Sequence, residues 1–138
     1  MKAILSIDMV GTYLRALVSR YVNERGVTAD AAEEYAPYTG DLVYWVARGG
    51  DAPYLRAALD ALIREGGLSI EHQRLLDEWC NYPFNIEDLL DTLKYMRDVL
   101  DAHLRPAIRD DLEVEFIRTG EDPLAWREAH ARGNSWIP

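Results

Sequence analysis

The chain has 138 residues, of which 49% are hydrophobic and six are proline, so it is predicted to form one packed domain rather than a disordered segment. Its formal net charge of -9 argues against a surface that grips nucleic acid directly, because such a surface needs clustered Lys and Arg. The single cysteine, Cys80, excludes an intramolecular disulfide and is typical of a reducing compartment.

The N-terminal residues are apolar, but they lack the pattern of a targeting segment. Asp8 interrupts them too early for the core of a signal peptide. No run in the chain approaches the ~20 apolar residues that a membrane span requires. We therefore expect a soluble, cytoplasmic protein that makes no membrane contact.

The first predicted element is a helix over residues 3–25. Its apolar positions recur at intervals of three or four residues: Ala3, Ile7, Val10, Leu14, Leu17 and Tyr21. Gly26 follows at a position that favours a helix end. Leu5, Ile7 and Met9 also alternate, so a short initial strand over residues 3–8 is the alternative.

Part of this segment, IDMVGTYLRALV, resembles the first phosphate-loop motif of the actin-like sugar kinases, the family of the ROK kinases and hexokinases. The matching residues are Asp8, Gly11, Thr12 and Arg15. Val10 stands where that family has a glycine that lets the backbone approach phosphate, and no later Gly-rich nucleotide segment follows. We therefore interpret the segment as a helix with Gly11 at a close packing contact.

The next two segments are short. Thr28 is a suitable N-cap for a helix over residues 29–36, which Pro37 ends. Residues 41–50, DLVYWVARGG, are apolar and rich in residues that favour strands. A buried helix and a strand both remain open for this stretch.

Three clearer helices follow. Asp51-Ala-Pro53 begins the first, which Gly66-Gly67 ends. Ser69 is the predicted N-cap of the second, and Asn85 with Asp88 resembles a capping box at the start of the third. The third has the strongest apolar stripe, formed by Ile86, Leu89, Leu90, Leu93, Met96, Leu100 and Leu104.

The last third of the chain is less regular. Pro106 ends the preceding helix. Residues 111–118 alternate apolar and acidic side chains like a half-exposed strand, although their apolar positions also fit one face of a helix. Asp122-Pro123 begins a final helix that ends at Gly133.

These elements predict an all-α fold. Residues 1–138 form a single compact domain of about six or seven helices, with an acidic second half over residues 70–138. The alternative is an α+β fold with a small sheet formed by residues 3–8, 42–47 and 112–118.

Catalytic and ligand-binding patterns do not stand out in the sequence. His72, His103 and His130 are widely separated and share no metal-binding spacing with other ligands. There is no phosphate-binding P-loop and no nucleophile elbow, and Cys80 has no base near it in sequence. We expect no catalytic residue, no cofactor and no metal.

Acidic residues concentrate in residues 70–138, which carry a net charge of -7 from 15 Asp and Glu and 8 Lys and Arg. Within residues 110–122, six acids accompany a single arginine, and such density costs self-repulsion unless something offsets it. A plain solvated surface is the alternative explanation. The candidate partner-binding residues are Asp98, Asp101, Asp110, Asp111, Glu113, Glu115, Glu121 and Asp122, with Tyr82 and Trp136 as aromatic anchors.

The leading hypothesis is a non-catalytic helical binding protein that docks an acidic face on a basic protein partner. A nucleic-acid-handling protein is the natural partner, which the chain would inhibit or regulate. An antitoxin, a phage anti-defence inhibitor or a DNA mimic has this character. One alternative is a structural subunit that forms a homo-oligomer, such as a homodimer, through helix 86–104. Another is a small enzyme of unknown class.

Overall fold

The computed structural model describes residues 2–65, 69–80, 84–106 and 113–117. In these ranges the chain forms five α-helices, one 3₁₀-helix and two short strands. The α-helices are α1 (Ile7–Arg25), α2 (Thr39–Gly49), α3 (Ala52–Arg64), α4 (Ile70–Cys80) and α5 (Ile86–His103). The 3₁₀-helix η1 is Ala32–Tyr38, and the strands are β1 (Lys2–Ser6) and β2 (Glu113–Ile117).

The prediction of an all-α domain is confirmed, because helices form the body of the protein and supply its core. The five α-helices of the described residues are slightly fewer than the six or seven predicted. The predicted final helix, from Asp122-Pro123 to Gly133, lies outside the described residues.

A small parallel sheet accompanies the helices. β1 pairs with β2 in a register that places Lys2 opposite Glu113 and Ser6 opposite Ile117. The first helix therefore begins at Ile7, and the residues before it form the strand that was the alternative. The third segment of the alternative sheet, residues 42–47, is helical and belongs to α2.

Helix α1 lies at the centre of the domain and contacts α2, α3, α4 and η1. Its buried apolar side chains are Ile7, Met9, Val10, Tyr13, Leu14, Leu17, Val18, Tyr21 and Val22. Gly11 is buried within this helix, so the segment that resembles a kinase phosphate loop is helical rather than a hairpin.

The segment after α1 differs from its prediction, because Pro37 lies inside η1 instead of ending a helix. A 3₁₀-helix, in which each hydrogen bond joins residues three apart, is common in short stretches such as this one. The packing of aromatic side chains holds η1 against the domain. Tyr35 is buried with its hydroxyl accepting a hydrogen bond from the Ala29 N–H at 2.9 Å. The Tyr35 ring packs edge-on against Tyr21 at a centroid distance of 5.1 Å.

Side-chain caps begin the later helices where the sequence places them. The Ser69 hydroxyl accepts a hydrogen bond from the His72 N–H at 3.1 Å. Asn85 Oδ1 accepts one from the Asp88 N–H at 2.9 Å. α5 ends before Pro106, whose ring disfavours a helical conformation at the preceding residue, and Arg105 adopts a φ of 44°.

A buried polar contact fixes the turn between α2 and α3. The Tyr13 hydroxyl donates a 2.6 Å hydrogen bond to Asp51 Oδ2, and both residues are buried. A Cβ atom on Gly49 would lie 2.6 Å from the Tyr13 hydroxyl and 2.8 Å from Asp51 Oδ2. Gly49 is therefore needed for the close approach of this turn to α1.

We expect Gly49→Ala to lower the free energy of unfolding by about 2 kcal/mol, because the new methyl group must displace the buried Tyr13–Asp51 hydrogen bond. Gly40→Ala is the matched control in the same helix, since nothing lies within 4 Å of its added Cβ. The control should raise stability by up to about 1 kcal/mol. Urea unfolding measures both, and equal effects of the two variants would contradict the prediction.

Candidate docking surface on helix α5

Helix α5 has an apolar inner side and an acidic outer side. The inner side chains Leu89, Leu93, Met96 and Leu100 are buried in the core of the domain. The outer side presents Glu87, Asp91, Lys94, Asp98 and Asp101, all of them exposed. Residues three or four apart share one side of a helix, so four acids and one lysine form a continuous outer stripe.

The acidic surface continues onto η1, which contacts α5. Burial raises the pKa of the Tyr95 hydroxyl, and the negative charge of Glu33 raises it further. Glu33 is thus close enough to Tyr95 for its charge to be felt, and it is itself exposed. The neighbouring Glu34 is also exposed, so η1 adds two exposed acids to those of α5.

Two candidate residues of α5, Asp98 and Asp101, differ in their contacts. Asp101 Oδ1 lies 2.8 Å from Arg56 Nε of α3, and Arg56 also pairs with Asp60. The Arg56 side chain is only 12% exposed, so this pairing joins α3 to α5. Asp101 therefore has a structural role, although its side chain stays 43% exposed.

Asp98 has a different environment from Asp101. Its side chain is 72% exposed, and its ion pair with Arg97 Nε is long, at 3.9 Å. Exposed pairs of this kind contribute little to stability, because water and salt screen them. The carboxylate of Asp98 is accordingly available to a partner.

The remaining candidate residues are described only in part. Glu113 and Glu115 lie in β2, where their backbones pair with those of Lys2 and Ile4. The other predicted residues, Asp110, Asp111, Glu121, Asp122, Tyr82 and Trp136, lie outside the described residues.

Another acid, Asp77 of α4, binds the backbone of Phe84, which lies shortly before α5. Asp77 Oδ1 accepts a hydrogen bond from the Phe84 N–H at 3.1 Å, and the Gln73 side chain donates one to the Phe84 carbonyl at 3.1 Å. Burial raises the pKa of the Asp77 carboxyl, while the bond from Phe84 opposes that rise. Asp77 therefore holds the backbone of Phe84 and is not part of the outer stripe.

Sequence reasoning missed an exposed aromatic pair on α2. Tyr44 and Trp45 are 53% and 39% exposed, and their rings pack edge-on with centroids 5.1 Å apart. The i, i+4 pair Leu42 and Val46 forms the buried side of this helix, which leaves Tyr44 and Trp45 on the outer side. The spacing of Leu42 and Val46 is the sequence signal that could have predicted the exposed aromatic pair, but it is informative only once the segment is known to be helical.

Within the described ranges, no group of three or more His, Cys, Asp or Glu side chains is placed to hold a metal ion. None of the described helices combines the length and apolar character needed to cross a membrane. No known protein family, characterised protein or solved structure matches the chain at a significant level. The function is therefore inferred from the surface chemistry alone.

We expect Asp101→Asn to lower the free energy of unfolding by about 1 kcal/mol, because it removes the charge that faces the largely buried Arg56. Asp98→Asn is the matched control one turn away and should change stability by less than about 0.5 kcal/mol. Urea unfolding of both variants tests the difference. Equal stabilities would show that Asp101 does not join the two helices energetically.

The raised pKa of Asp77 predicts a pH-dependent effect of Asp77→Asn. The folded protein holds this proton more tightly than the unfolded chain, so the contribution of Asp77 to stability is present at low pH and lost as pH rises through the folded pKa. The substituted amide stays neutral and can still accept the bond from the Phe84 N–H. The variant should therefore melt at a higher temperature than the wild type at neutral pH, with the gap closing below the ordinary Asp pKa of about 3.9. A variant that is less stable by the same amount at every pH would contradict this.

Proposed function

We propose that the chain is a non-catalytic binding protein that docks an acidic surface on a basic surface of a protein partner. The observation that carries this proposal is the outer stripe of α5, where Glu87, Asp91 and Asp98 project from a helix whose apolar side is already buried. The acidic segment 110–122 lies in the same half of the sequence and contains six further acids.

Electrostatics supports a charged partner rather than a neutral one. The chain carries a net charge of -9, and like charges crowded on one surface repel one another. A partner rich in Lys and Arg relieves that repulsion and is steered toward the acidic surface before contact. Tyr95, partly buried beside Glu33, adds an aromatic side chain at the edge of the surface.

The partner chemistry that fits best is a phosphate-binding surface. Proteins that handle nucleic acid present clustered Lys and Arg to neutralise phosphates. An acidic protein that occupies such a cluster competes with the nucleic acid, so it acts as an inhibitor or regulator. An antitoxin, a phage anti-defence protein or a DNA mimic works in this way, and the chain itself needs no contact with nucleic acid.

The burial of α5 favours this function over assembly through the same helix. Leu93, Met96 and Leu100 are fully buried in the domain's own core. A homo-oligomer that used them would have to expose the core of each subunit, at a cost that its new contacts must first offset. The outer stripe has no such cost.

The test compares two variants with the same change in net charge. Asp91→Lys combined with Asp98→Lys reverses the outer stripe of α5. Asn23→Lys, Ala47→Lys and Glu71→Lys together place equal charge on the exposed sides of α1, α2 and α4. Each protein is immobilised and exposed to a lysate of the organism that encodes the chain, with circular dichroism confirming that it is folded.

We expect the wild type and the control variant to retain the same basic proteins, and the α5 variant to lose them by at least about tenfold. Added duplex DNA and raised salt should both release the retained proteins, because they compete for or screen the same charges. Equal loss of the retained proteins in both variants would show that binding depends on net charge alone and not on the outer stripe of α5. Retention by the α5 variant, or retention that DNA does not disturb, would overturn the proposal.

A further inference from the structure

The outer side of α2 carries an ordered set of four side chains. Asp41, Tyr44, Trp45 and Arg48 fall on one side of the helix, because Tyr44 and Trp45 each lie three or four residues from both Asp41 and Arg48. Leu42 and Val46 occupy the opposite, buried side. Along the helix axis, this outer side runs from a negative charge through two aromatic rings to a positive charge.

The aromatic centre of this face is exposed to an extent that is unusual in the molecule. Four large apolar side chains of the described residues are exposed, and Tyr44 and Trp45 are the two that are adjacent. The Tyr44 hydroxyl accepts a 2.8 Å hydrogen bond from Arg48 Nη1, which ties the charged end to the aromatic pair. Trp, Tyr and Arg are the residues enriched where protein interfaces derive most of their affinity.

The charged ends of this face can both accept further contacts. Within the described residues, Arg48 pairs with no carboxylate, and its hydrogen bond to Tyr44 uses one of its five N–H donors. Asp41 Oδ2 lies 3.1 Å from Arg20 Nη1, yet the Asp41 side chain is still 38% exposed. A carboxylate can accept from two guanidinium groups, so Asp41 can bind a second arginine while it keeps Arg20.

We propose that this face of α2 binds the same face of a second copy of the chain about a two-fold axis. The centre of the pattern lies between Tyr44 and Trp45. Two antiparallel copies therefore place each Asp41 opposite the Arg48 of the other copy, and each Tyr44 opposite the other Trp45. A two-fold interface must be complementary to itself, and this order of charges and rings meets that condition.

The expected dimer is weak. Each aromatic side chain offers about 100 Å² of exposed surface, so the four rings of a dimer bury about 400 Å², well below the ~1,200 Å² at which the range for stable specific complexes begins. The two copies also repel through their net charges of -9. We expect a dissociation constant in the micromolar range. This surface is separate from the outer stripe of α5, and its use does not depend on the function proposed above.

The decisive experiment uses two charge variants whose defects are complementary. Asp41→Lys makes both ends of the α2 face positive, and Arg48→Glu makes both ends negative. Each variant alone should dimerise at least about tenfold more weakly than the wild type, because like charges now meet at both ends of the interface. An equimolar mixture should recover the affinity of the wild type, since each positive end then meets a negative one. Sedimentation velocity across a concentration series measures all of these samples.

Recovery of affinity in the mixture would exclude damage to the fold as the cause of the weaker dimers, because two unfolded variants cannot restore each other's binding. Trp45→Ala should abolish self-association, whereas Ile70→Ala, which removes an exposed apolar side chain on α4, should leave it unchanged. The α5 charge variant, whose smaller net charge weakens the repulsion between copies, should dimerise at least as well as the wild type. A wild type that stays monomeric up to near-millimolar concentration would overturn the proposal. So would a mixture of the two charge variants that associates no better than either alone.

Discussion

Helix α1 buries nine apolar side chains, and the need to cover them decides where the other helices lie. The helices α2, α3 and α4 and the 3₁₀-helix η1 supply that cover, while a polar side that includes Arg15 and Asn23 stays exposed. Each covering element turns an apolar stripe toward the core, so its polar side is left to face water. The surfaces that face water are therefore the outer sides of the helices, among them those of α2 and α5.

Local signals predicted most of the helical framework, because helix periodicity and capping act over a few residues. The stripe of α5 and the caps at Ser69 and Asn85 are confirmed for this reason. β1 was only an alternative, since the spacing of its apolar residues fits a helix as well as a strand and the choice depends on a distant partner. The prediction for Pro37 was wrong because a 3₁₀-helix stabilised by buried tyrosines tolerates it.

The candidate site was harder to predict than the fold, because its residues are defined by contacts between distant parts of the chain. Asp98 and Asp101 look equivalent in the sequence, three residues apart on one acidic helix. Arg56, from another helix, pairs with Asp101 and not with Asp98, which is the more exposed of the two. The aromatic pair of α2 was missed for a related reason, since its exposure follows from which side of the helix meets α1. Whether the outer acids bind a partner is a property of two molecules, and one sequence does not contain it.

The pairing of β1 with β2 sets an order of folding during synthesis on the ribosome. β1 is synthesised before every helix of the described structure, and its partner follows all of them. Two strands alone are barely stable in water, so the sheet needs to pack against helices. β1 contacts α1, and β2 contacts α3. Closing so long a loop is also slow compared with forming helices. The nascent chain must therefore carry β1 unpaired while every described helix is synthesised, and the sheet is the last part of the described structure to close.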